Sequence, residues 1–170
     1  MDWSALGGVV TIRAYQPRDH DQVRAFECTT PGQKYTRDPE RVIRRAPDKI
    51  ASDSSNDVWI AVAEHPDSGI VGVVVYQAQP VGLEDPTTRP YIAALGVRRD
   101  YRRQGIATML KSAAMLDMAD RGIAGPTVSL VNRRNLAMLR LNETRFNATV
   151  ERDVDDPNDD VITAAIEPVD

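Results

Sequence analysis

Cysteine is almost missing from this chain. Cys28 is the only one in 170 residues, so no intrachain disulfide framework is available. With His20 and His65 it makes up the whole stock of soft metal ligands, too few for a zinc finger. Aromatic residues are 5% of the chain, which leaves aliphatic side chains to fill the core. No run reaches the ~18 apolar residues that a membrane-spanning helix needs. The apolar run from Leu6 to Val10 follows Asp2 and no basic residue, so it does not read as a secretion signal. Positive charge is not in excess either. Lys and Arg number 21 against 25 Asp and Glu, and the net charge of −4 argues against a nucleic-acid coat or an anionic-membrane binder. Two nucleotide signatures are also missing, Gly-x-x-x-x-Gly-Lys-Ser/Thr and a Gly-x-Gly-x-x-Gly between strand and helix.

What is present fits one globular domain spanning residues 1–170, soluble and in a reducing, cytoplasmic compartment. The length matches a single domain of about 100 to 200 residues, and 42% of the chain is hydrophobic. The β-branched run 9–15 predicts a first strand. A turn at Pro17 leads to a short helix ending near Phe26, with Asp19 or Asp21 as its cap. Asp38-Pro39-Glu40 has the form of an N-cap with proline at the first helical position, opening a helix that stops at Ala46, before Pro47. Strand patterns over 58–64 and 70–77 flank His65-Pro66-Asp67-Ser68-Gly69, a hairpin signal. A proline-bearing loop precedes a strand over 91–97. From Gly105 the spacing turns helical, with Ile106, Met109, Leu110, Ala113 and Leu116 on one face and Lys111 and Asp117 off it. Arg121-Gly122 ends that helix. A strand over 126–131, a helix over 135–143 and a tail hairpin over 149–152 and 161–166 complete the chain, with the aspartate-rich stretch 153–160 as the hairpin's solvated loop. This order predicts an α+β fold, a single mixed, mostly antiparallel sheet flanked by helices.

One stretch carries chemistry. From Leu95 to Ala107 a buried strand ends, a loop with Arg98, Arg99, Arg102 and Arg103 follows, and a helix begins at Gly105. The first N–H groups of a helix have no partner within it, and the macrodipole adds positive potential there, so this geometry suits a phosphate. Small residues at Gly105 and Ala107 let a pyrophosphate approach the main chain.

These residues resemble the GNAT superfamily of N-acetyltransferases, whose signature is Arg/Gln-x-x-Gly-x-Gly/Ala after an apolar strand ending in Val. Arg102-Arg103-Gln104-Gly105-Ile106-Ala107 matches each fixed position, and Val97 stands five residues before Arg102. A second family segment, Val-x-x-x-Asn-x-x-Ala-x-x-Leu-Tyr, is matched by Val131, Asn135 and Leu141, with Met138 for the alanine and Asn142 for the tyrosine. The resemblance implies a GNAT-like fold and acetyl-CoA as co-substrate. It implies direct attack on the thioester by an amine in a ternary complex, with no covalent enzyme intermediate. By the same resemblance the strand around Leu95 and Val97 borders the acetyl-pantetheine arm, and the Val97 N–H polarises the thioester carbonyl. Arg102, Arg103, Gln104, Gly105, Ile106, Ala107 and Thr108 form the pyrophosphate loop, and Asn135 bonds the pantetheine arm or the cofactor's sulfur end. A homodimer is the family's mild preference.

The family pattern is broken at two points. Asn142 stands where a tyrosine often protonates the leaving thiolate. An amide is no general acid, although it donates a hydrogen bond to sulfur. The strand over 91–97 offers Ala93 and Ala94 where many members carry a carboxylate base. Glu64 and Glu143 are the candidates to supply it, and each also fits a solvated surface role. Three readings follow: an N-acetyltransferase acting on a small-molecule or protein amine, a degenerate acyl-CoA-binding module, and an acetyltransferase directed to tRNA. The acidic pI disfavours the last. Cys28 fits a small buried apolar role, and Trp3, Trp59, Tyr35 and Tyr76 fit packing roles.

Overall fold

The structure, a computed structural model, describes residues 9–33, 38–52, 57–81, 87–153 and 155–164. Trp3, Tyr35 and the end of the expected last strand, residues 165–166, lie outside them.

Seven strands build one sheet: β1 (Thr11–Ala14), β2 (Val58–His65), β3 (Gly69–Pro80), β4 (Thr88–Val97), β5 (Thr127–Asn132), β6 (Thr149–Arg152) and β7 (Asp159–Ala164). Their order in space is β1-β2-β3-β4-β5-β7-β6. Every pairing is antiparallel except β4 with β5. The helices are α1 (His20–Arg24), α2 (Pro39–Ser52), α3 (Ile106–Asp120) and α4 (Leu136–Phe146). The expected order of elements and the mixed, mostly antiparallel sheet are both found.

The central strands are apolar on both faces because both are covered. Val71 and Val74 of β3 pack with Ile106, Leu110, Met115 and Met118 of α3. Val73 and Val75, pointing the other way, pack with Val23, Phe26 and Ile43 of the α1–α2 layer. A strand buried on both sides loses the alternation that a half-solvated strand shows. Close approach makes Gly96 obligatory. A Cβ there would lie 2.6 Å from Cys28 Sγ and 3.0 Å from Ile43 Cδ1. Gly96→Ala should therefore destabilise the fold by about 1–3 kcal/mol, the usual cost of overpacking. An unchanged denaturant midpoint would mean that α2 and Cys28 do not press on β4.

Three boundaries and one buried face differ from the sequence pattern. Helix α2 does not stop at Ala46; it runs through Pro47 to Ser52, with Pro47 buried. Proline within a helix deprives the carbonyl four residues earlier of its donor, and burial of Pro47 and Ala46 against the sheet outweighs that loss. Strand β4 begins at Thr88, three residues early, with Pro90 inside it. Pro90 pairs with Ala78, whose own N–H goes to Asp57 O (3.1 Å), so this pair exchanges no ladder bond and a missing donor costs nothing. On α3, Leu116 is 46% exposed, whereas Lys111 and Asp117 are buried at 3% and 7%. Asp117 is drawn inward by Tyr76, whose Oη donates to Oδ2 at 2.8 Å, and by Arg121 at 2.7 Å. Finally, Asp159 and Asp160 belong to β7 rather than to a solvated loop. Both are buried, and Asp160 pairs with Arg133 at 2.6 Å.

Candidate active site

Two neighbouring strands come apart at the middle of the sheet. Parallel pairing of β4 with β5 is confined to Tyr91 with Val128 and Ile92 with Ser129. Just beyond, the register with β3 slips: Val75 faces Ala94 while Tyr76 faces Ile92, leaving Ala93 as an extra residue on β4. A bulge of this kind bends the strand that carries it. Residues 93–97 of β4 thus leave the β5 ladder, while β5 stays paired with β7 along its other edge. The main chain of β4 is left with unused donors on that side. Arg98 N–H donates to Val71 O at 2.9 Å, and because donors alternate sides along a strand, the Val97 N–H points the opposite way, into the gap.

The gap opens into a cleft of about 750 Å³ between the end of β4, the Arg102–Thr108 loop and the outer face of α4. Leu95, Val97, Arg102, Arg103, Gly105, Ile106, Ala107, Thr108 and Asn135 all line it. Gln104 sits on the same loop, exposed, its side chain donating to Asp100 O at 3.4 Å. The loop has an unusual backbone. Arg103 has φ +62 and Gly105 φ +81, a left-handed geometry that a non-glycine residue adopts at a cost of order 1–2 kcal/mol. The twist turns donors outward. Arg102 and Arg103 form a tight turn that Gln104 N–H closes; among the described residues the main-chain N–H groups of Arg103 and of Gly105 to Thr108 have no acceptor, and the helical ladder begins with Met109 N–H to Gly105 O at 3.0 Å. Four consecutive free donors, Gly105 to Thr108, at the positive end of a 15-residue helix suit an anion.

Arg102 has a different place from the other loop residues. Its guanidinium donates to Val97 O (3.3 Å), to Thr30 Oγ1 (3.1 Å) and to Cys28 O, tying the 28–30 segment over the end of β4. Asn135 is the N-cap of α4, its Oδ1 accepting from Met138 N–H at 3.2 Å, and among the described residues its Nδ2 has no acceptor. Cys28 is buried, and burial pushes its thiol up to about 12.

A smaller cavity of about 70 Å³ continues the cleft between the splayed strands, where Leu95, Asn135 and Met138 are common to both. Asn142 reaches it and is 1% exposed, not a surface cap. Its Nδ2 donates to Met138 O at 2.8 Å and its Oδ1 accepts from the Lys111 ammonium. Lys111 is a site residue that the sequence pattern missed, since helical spacing alone put it off the apolar face. Its Nζ lies 4.6 Å from the centroid of the Phe146 ring, and burial lowers its pKa to about 8. Asp38 is the other omission and the sole carboxylate in the described lining of this cavity. As expected it begins α2, with Oδ1 accepting from Glu40 N–H at 3.0 Å. The predicted bases are elsewhere. Glu64 is held by Arg13 at 2.7 Å on the β1–β2 edge, and Glu143 is exposed outside both cavities. Tyr76 is buried against Asp117, and Trp59 stacks under Arg121 at 4.5 Å, so both pack.

A strand that splays at a bulge beside a helix N-terminus with free donors makes an elongated cleft suited to a ligand that carries phosphate. Comparison with known families agrees: the model of the acetyltransferase (GNAT) family matches residues 20–143. The chain belongs to that family. No curated protein matches it by sequence. Among solved structures, Arabidopsis thaliana NAA60 in complex with acetyl-CoA superposes with a TM-score of 0.67 at 16% identity, covering 92% of this chain and 97% of that one. The GNAT domain of S. lividans PAT gives 0.68 at 15% identity, over 96% and 94% of the two chains. The Escherichia coli ribosomal-protein-S18-alanine N-acetyltransferase gives 0.59 at 20% identity, over 95% and 99%. Among the described residues no helix is long and apolar enough to cross a membrane.

Proposed function

We propose that the chain is an acetyl-CoA-dependent N-acetyltransferase whose acceptor is a primary amine. The observation that carries this reading is the row of four free N–H donors from Gly105 to Thr108, set at the mouth of the β4–β5 gap. In this reading the loop binds the pyrophosphate, and Asn135 Nδ2 and the β4 edge at Leu95 and Val97 hold the pantetheine arm. The Val97 N–H faces the thioester carbonyl, where a preorganised donor is worth most as negative charge develops.

The acceptor approaches from the Asp38 side. Asp38 receives its ammonium and then its proton, replacing the carboxylate that β4 lacks. An α-amino group, ordinarily near 7.7–8.0, gives up a proton far more readily than a lysine near 10.4, so a site with one carboxylate at the cavity rim suits an α-amine. That the E. coli neighbour is named for acetylating an alanine of ribosomal protein S18 supports the same class.

The test is calorimetric titration with acetyl-CoA, followed by thiol release with short peptides carrying free or blocked N-termini. Binding, with turnover on the free N-termini, is the expected result. Asp38→Asn keeps the helix cap, since asparagine caps as well as aspartate. It should lower kcat/KM for the peptide about a hundredfold, the low end of general-base effects, and leave the affinity for acetyl-CoA unchanged. No binding of acetyl-CoA by the wild-type chain would overturn the reading. Binding without turnover on any amine would favour an acyl-CoA-binding module.

A further inference from the structure

Lys111 is an improbable residue for its position. The chain has only three lysines, Lys34, Lys49 and Lys111, against eighteen arginines, and one of the three is 3% exposed in the middle of the fold. Buried ammonium groups are expensive unless paired. Among the described residues no carboxylate lies within ion-pair distance of this one. Its partners are the Asn142 amide and the face of Phe146, both from α4. The other groups around the cavity are neutral, Ala93 to Leu95 of β4 and Ser129 and Asn132 of β5, with Asp38 at the α2 rim. A packing role would be filled better by methionine or leucine. An unpaired cation facing the gap between the splayed strands instead anticipates an anion that arrives with the substrate.

We propose that Lys111 is the catalytic acid of this protein, donating its proton to the departing CoA sulfur, with Asn142 holding the ammonium in place. The inference rests on the acetyl-CoA reading above. In the step, the neutral amine nitrogen bonds the acetyl carbon and the C–S bond breaks, its electron pair going to sulfur. The nitrogen's extra proton leaves through Asp38. The sulfur takes a proton from Lys111, giving free CoA thiol and a neutral lysine, which regains its proton from solvent. The proton balance closes at N-acetylated amine plus thiol. Lowered by burial to about 8, the ammonium is close to the ordinary thiol value of about 8.5 for cysteine, the match that efficient proton donation needs. Arginine, with a pKa above about 12, could not serve, which accounts for a lysine here in a chain that otherwise favours arginine.

The experiment follows the thiol of bound CoA by the ultraviolet absorbance of its thiolate, in wild type and Lys111→Met, with apoprotein spectra subtracted. Cys28 does not interfere, because its own thiol is pushed up to about 12. CoA bound to wild type should ionise about one unit or more below CoA bound to Lys111→Met, the effect of a nearby opposite charge. Equal midpoints with CoA bound to both proteins would overturn the role of Lys111 and leave the cofactor reading standing. No CoA binding by wild type would overturn both. A second measurement needs no variant. In the wild-type chain the Lys111 Cε resonance should titrate higher with CoA than with desulfo-CoA, and identical midpoints would also overturn the proposal.

Discussion

Gly105→Glu should abolish acetyl-CoA binding while the protein stays folded. The position has φ +81, and a Cβ built there meets nothing within 4 Å. The substitution therefore carries a backbone cost of about 1–2 kcal/mol and no steric clash inside the protein. Its larger effect is electrostatic. A carboxylate at the first turn of α3 occupies the donors meant for the pyrophosphate and sits within a few ångströms of its charge. Two like charges 4 Å apart repel by about 4 kcal/mol at an effective dielectric of 20, roughly a thousandfold in affinity. Gly105→Ala is the control, since it has the same backbone strain without the charge and should bind less than about tenfold more weakly than wild type. Calorimetric titration distinguishes them. Equal affinities for the two variants would mean that the pyrophosphate does not lie on this loop.

The buried lysine makes a second large effect, on stability as pH changes. Folding lowers the Lys111 pKa from 10.5 to about 8. Below pH 8 the side chain is protonated in both the folded and unfolded states, and the whole cost of burying the charge is present. Between pH 8 and 10.5 the unfolded chain binds more protons than the folded one, so this group's contribution to stability rises with pH. A difference of about 2.5 units corresponds to about 3 kcal/mol. Cys28 acts oppositely. Its thiol is raised from 9.0 to about 12, so the unfolded chain loses that proton first and stability falls above pH 9. Subtracting the curve of Lys111→Met cancels Cys28 and every other group common to both proteins. At pH 7 the methionine variant should be more stable by up to about 3 kcal/mol, and the advantage should vanish by about pH 10.5. Denaturant unfolding across that range measures it. A constant difference would show that the ammonium is not desolvated in the folded state. The gain in stability on removing Lys111 is what a residue kept for chemistry predicts.

The loop of free donors was legible in the linear sequence because its physics is local. Arg102 to Ala107 are adjacent residues, and a glycine at the start of a helix implies free donors whatever surrounds it. The element order was legible for a similar reason, since the apolar spacing of each segment reflects the face it buries. Asp38 and Lys111 were not legible as site residues. Asp38 had the form of a helix cap, which it is, and only the placement of α2 beside the β4–β5 gap brings its carboxylate to the cavity. Lys111 had the form of a solvated helix residue. Its burial depends on α4, 31 residues further along, laying Asn142 and Phe146 over it.

The same division holds for Glu64, which the sequence offered as a base. On the β1–β2 edge it meets Arg13, which also grips Asp19 at 2.7 Å, and the hydrogen bond from Arg13 holds the Glu64 carboxyl below its ordinary value. It is an anchor for the first strand. The sequence by itself determined the protein's class, one mixed sheet with a glycine-started helix after a basic loop, because those features are written in neighbouring residues and in periodic burial. The tertiary structure alone decided which ionisable groups face the opened strands. That choice depends on contacts between segments dozens of residues apart, and no spacing along the chain encodes the dielectric around a single ammonium.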